Sequence, residues 1–146
     1  MTRQLPQPPA SADRYLRWAA IAFAIGFGIH GLDHMRRGMS ASPPAIMVGG
    51  MIQGLFVVAA VAMALSGRRR APVAAIAVGF GSAVLFTYAH LLPDFFPALQ
   101  DSFVTGPRIN VTWFSWVSAV TEIGTGIVFA IAGVRARSSV DTLVHR

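Results

Sequence analysis

The chain has 146 residues, 54% of them hydrophobic and only 12% charged, with a formal net charge of +6. This composition lies outside that of ordinary soluble domains and makes a bilayer the natural solvent. It contains no Cys, which excludes disulfides, thiolate metal ligands, iron–sulfur clusters and a cysteine nucleophile, so any chemistry falls to His, carboxylates, hydroxyls or a bound cofactor.

Residues 1–13 carry Pro6, Pro8 and Pro9 among polar neighbours, too few apolar groups to pack, and read as a disordered cytoplasmic tail. A first apolar run covers about 15–34, preceded by Arg14 and Arg17 and with Trp18 placed as an interfacial anchor. No small-x-small cleavage site follows it, so an uncleaved span is expected rather than a signal peptide. The second run, 43–65, has Ser42 as a cap, Pro43 and Pro44 in its first turn and Gly67 as its stop. After Arg68-Arg69-Arg70, Pro72 opens a third run over 72–92 that Pro93 ends. A connection this short makes runs two and three neighbours. The fourth run, 111–134, has Asn110 as a cap and Trp113 and Trp116 near one interface, and 136–146 reads as a second cytoplasmic tail.

These four runs predict an all-α integral membrane protein, an antiparallel four-helix bundle forming one domain over 14–135. Arginine placement orients it. Arg3, Arg14, Arg17, Arg68, Arg69, Arg70, Arg135, Arg137 and Arg146 fall on one side and Arg36, Arg37 and Arg108 on the other, which puts both termini inside a plasma (inner) membrane. Every basic residue is Arg and none is Lys, compatible with a GC-rich bacterial source. The basic charge sits at helix ends, so lipid rather than nucleic acid is the expected partner. The outer connection 93–110, with Phe95, Phe96, Pro97, Leu99 and Phe103, is apolar enough to fold over the helix ends as a lid.

Small residues spaced by four, Gly50/Gly54, Ala75/Gly79, Ala77/Gly81 and Gly126/Ala130, predict close helix contacts within the chain, in a homodimer or in a larger membrane complex. Gly26-x-Gly28-x-x-Gly31 has dinucleotide-fingerprint spacing but follows no strand, so helix packing accounts for it.

Two sets of polar residues stand out. His30, Asp33 and His34 share a helix face at offsets of three and four, and His90 and Asp94 end the third run on the same side. Together they suggest a three- to five-ligand site for Zn, Cu, Mn or Fe. A haem between His30 and His90 ranks behind it, because nothing else reads as a haem pocket. The second set centres on Glu122, about eleven residues into the fourth run, with Thr112, Ser115, Ser118 and Thr125 along one stripe and Gln53 at matching depth as its expected partner. Three functions remain open: an outer metal or haem site, a proton-coupled transport component using Glu122, and a non-catalytic accessory or assembly subunit. No motif fixes a reaction, and the methionines and phenylalanines read as packing groups.

Overall fold

The computed structural model describes residues 10–144, and all the regular structure among them is helical. Helix α1 spans Ala10–Arg37, α2 spans Pro44–Leu65, α3 spans Ala71–Phe86 and α4 spans Trp113–Val144. Between α3 and Leu92 lies a π-helical turn, Thr87–Leu91, closed by the i→i+5 bond from Leu92 N–H to the Thr87 carbonyl at 3.2 Å. All four helical segments are long and apolar enough to cross a membrane.

The helices outrun the apolar runs. α1 begins at Ala10, so residues 10–13 of the expected tail are helical, and Asp13 pairs with Arg17 at 2.9 Å across one turn. α4 continues to Val144 because Arg135-Ala-Arg-Ser-Ser holds no Gly or Pro to stop it. Ser138 and Ser139 donate to the Val134 and Arg135 carbonyls. The rest of the expected tails, residues 1–9 and 145–146, lies outside the described residues.

Local chemistry sets the ends. Pro43 and Pro44 open α2, as Pro lacks the N–H that a first turn leaves unpaired. Gly67 stops it at φ +63°, a conformation cheap for Gly. Ser42 makes no capping bond to α2; its hydroxyl is committed to the Asp101 carboxylate instead. The cap of α4 is likewise not Asn110, which stands at φ +53° and donates to the Arg37 carbonyl. Instead Ser115 Oγ accepts from the Thr112 N–H at 3.2 Å, half of a capping box.

α4 packs most broadly on α3 and then on α1, while α2 lies more lightly against α3 and α1. The α3–α4 contact is a meeting of small residues. A Cβ on Gly79 would run into the Gly126 carbonyl and Ala130, and one on Gly133 would meet Pro72 and Ala75, so these pairs serve helix approach within the chain. The apolar core holds Leu16, Ala20 and Phe23 of α1, Val57 and Ala60 of α2 and Phe129 and Ala132 of α4, with Phe23 stacked on Phe129 at 5.4 Å. Outward faces stay apolar, with Leu55, Phe56 and Val58 of α2 and Val84 of α3 exposed. Polar residues gather instead near the ends of α1 and the π turn.

Candidate metal centre

His30 and His34 lie one turn apart on α1, and the π turn brings His90 against them. One ring nitrogen from each lies within 4.8 Å of the other two. His30 Nε2 and His34 Nε2 are 3.1 Å apart, and the His90 ring centroid is 4.9 Å from that of His30 and 5.7 Å from that of His34. His30 and His90 are buried. Two phenylalanines wall the cluster: Phe86 meets His30 edge-on at 4.9 Å and Phe103 stacks on His90 at 4.6 Å.

Hydrogen bonding assigns the tautomers of two rings. His90 Nδ1 lies 3.0 Å from the Asp101 carbonyl oxygen. A carbonyl can only accept, so Nδ1 carries the proton and Nε2 keeps its lone pair. Ser42 Oγ donates to Asp101 Oδ2 at 2.6 Å, which uses its one proton, so it can only accept from His34 Nδ1 at 3.3 Å. His34 Nε2 is then also a free donor of electrons. It faces His30 Nε2, which donates to it; His30 Nδ1 is left buried without a hydrogen-bond partner, as are both Glu122 carboxylate oxygens. His30 Nδ1 and Glu122 Oε2 stand 4.0 Å apart, neighbours but beyond hydrogen-bond reach.

The outer connection is the anchor of this arrangement. Asp101 N–H donates to the Ala89 carbonyl and Phe103 N–H to the His90 carbonyl, pinning residues 101–103 onto the carbonyls that the helix end leaves unpaired. Arg37 grips the Asp101 carboxylate with two bonds of 2.6 and 2.8 Å, donates to the Ile109 carbonyl and lies over the Phe103 ring. Burial alone would push the Asp101 carboxyl up, but the hydrogen bonds from Arg37 and Ser42, with the Arg37 charge, outweigh it and hold the group below its usual 3.8. Phe95, Phe96 and Leu99 remain exposed, so only part of the expected lid is tucked in.

The structure brings together three of the five proposed ligands. Asp33 stands apart because successive helix positions turn by about 100°, which sends it toward α4. There it accepts from Arg36 Nη2 at 2.7 Å and from Ser115 Oγ at 3.2 Å. Asp94 stands apart because the chain leaves the helix at Leu92, whose ψ is 154°; its N–H is held by Thr105 Oγ1 within the connection. The expected Gln53–Glu122 pair also does not form. Gln53 donates to Ser82 Oγ of α3, since matching depth does not bring α2 and α4 face to face. Ser115 and Ser118 are buried on the same side of α4 as Glu122, but Ser115 serves the α4 cap and Asp33, and Ser118 donates back to the Ser115 carbonyl.

Sequence reasoning missed Arg37, Asp101 and Phe103, and it assigned Ser42 another role. Only the charge of Arg37 and Asp101 could have singled them out, as the two lie 64 residues apart. Compared with protein families, curated proteins and solved structures, the chain matches none.

Proposed function

We propose that this chain is a multi-pass protein of the plasma membrane, an antiparallel bundle with both termini in the cytoplasm. We place in it a single transition-metal ion held by His30, His34 and His90 near the outer face. The membrane reading is supported by four apolar helices with apolar outward faces and by the Arg excess at the inner ends.

One observation carries the metal reading: three imidazoles converge while the Nδ1 atoms of His34 and His90 are engaged from behind, which aims lone pairs inward. Hydrogen bonds of this kind orient metal-ligating histidines. A tetrahedral ion with bonds of 2.0–2.1 Å holds its ligand nitrogens about 3.4 Å apart, so the 3.1 Å and 4.8 Å extremes need shifts of roughly 1 Å. Binding also resolves the polar groups left without partners. With Nε2 of His30 given to the ion, its proton moves to Nδ1, facing Glu122, and the cation supplies the opposite charge that a buried carboxylate requires. Three imidazoles leave a tetrahedral ion one position for water or a further ligand.

Co(II), whose visible bands report its coordination number, tests this on detergent-purified protein. The expected outcome is one equivalent bound per chain with tetrahedral bands, lost in His30→Ala and His90→Ala and retained in Asp94→Ala. Wild-type protein that takes up no stoichiometric Co(II) or Zn(II) would overturn it.

A further inference from the structure

A cavity of about 250 Å³ runs between α1 and α2, and His30 and His34 form part of its wall. Four of the chain's six methionines line the same space: Met35, Met39, Met47 and Met51. Met47 and Met51 sit one turn apart on a single face of α2. Met35 ends the α1 face that carries the histidines, and Met39 lies in the turn after the helix.

These side chains are not core filling, since Met35, Met39 and Met51 are about two-thirds exposed. Nor does a lipid-facing role account for their grouping. Elsewhere α2 and α3 face outward with Leu, Val and Phe, and Met is confined to the cavity that reaches the imidazoles. Thioethers are soft ligands that select Cu(I), and in a chain without Cys they are the only sulfur donors present. Thioether and imidazole are both neutral, so a monovalent ion held by them brings a single positive charge into an apolar setting, where desolvation of a dication costs far more.

We infer that Met35, Met39, Met47 and Met51 form a thioether path that captures Cu(I) and passes it to His30 and His34. The inference rests on the tri-histidine reading for the ion's destination and adds the identity of the metal and its route. No oxidation or reduction is involved; thioether sulfur is exchanged for imidazole nitrogen around an ion that stays Cu(I).

The test uses the full chain in detergent, titrated with Cu(I) against a chromogenic Cu(I) chelator and, separately, with Co(II). A variant carrying Met35→Leu, Met39→Leu, Met47→Leu and Met51→Leu keeps side-chain volume. It is expected to lose at least about tenfold in Cu(I) affinity while Co(II) binding by the histidines changes by less than about threefold, the separation that ligand softness predicts. Copper-edge X-ray absorption of the wild type should show both sulfur and nitrogen in the first shell. Unchanged Cu(I) affinity in the variant, or a nitrogen-only shell in the wild type, would overturn the thioether path and leave the tri-histidine site standing. Absence of Co(II) binding in the wild type would instead defeat the tri-histidine site itself, and with it the delivery step.

Discussion

Replacing Arg37 with Ala should be the most damaging single change at the polar end of the molecule. The Arg37 and Asp101 side chains are 1% and 6% exposed and the pair is bidentate, which places it in the regime where deleting one partner strands a buried charge, at about 3–5 kcal/mol. Since about 1.4 kcal/mol is tenfold, the unfolding equilibrium should shift by roughly two to three and a half powers of ten. Arg17 provides an internal control: its pair with Asp13 has the same chemistry but 48% and 31% exposure, so Arg17→Ala should cost less than about 1 kcal/mol. Unfolding in mixed micelles, tracked by tryptophan fluorescence, measures both. Trp116 touches Phe103 at 5.8 Å and should report release of the outer connection before the helices separate. Equal, small losses in the two variants would refute the view that this connection is locked by a buried ion pair.

Acid should act in the same direction. The folded-state pKa of Asp101 lies below its usual value, so its contribution is complete above pH 3.8 and is lost as pH falls from there through the folded value; a fluorescence change centred near neutrality would contradict this. Gly79→Ala drives a methyl toward the Gly126 backbone and should cost about 1–3 kcal/mol. Gly28→Ala, where nothing lies within 4 Å, should be neutral or slightly stabilising, and thermal melts of the pair separate the two cases. Ser115→Ala removes the acceptor for the Thr112 N–H and a contact to Asp33, and should lower stability by about 0.5–2 kcal/mol. Glu122→Gln keeps shape but removes the charge behind His30; metal titration should show a fall of roughly 10–100-fold in affinity with the helices intact.

Spans and ligands were legible in the sequence to different degrees. Pro43, Pro44, Gly67 and Pro93 mark the ends of α2 and the third span because they act on the backbone locally, and each end lies within a residue or two of its expected place. His30 and His34 were readable from a helical offset. The meeting of His90 with them required only that the two helix ends lie on one side. Offsets do not give azimuth, which is why Asp33 and Gln53 were misdirected. Nor do they give the course of a connection, which is why Asp94 was included and Asp101 passed over. Ser42 illustrates the limit well: a residue ideal for capping was recruited by a carboxylate 59 positions away, a choice made by tertiary packing.

The π turn that carries His90 has an implication for how such a site can be lost or gained. It accommodates one more residue than an α-helical turn of the same rise. Removing a single residue from Thr87–Leu91 and letting the segment relax to regular α geometry would swing the downstream chain by about 100°, carrying the third imidazole off the other two without altering any ligand's identity. The triad therefore depends on a local insertion in helical phase, and a one-codon deletion would erase it as completely as mutating the histidine.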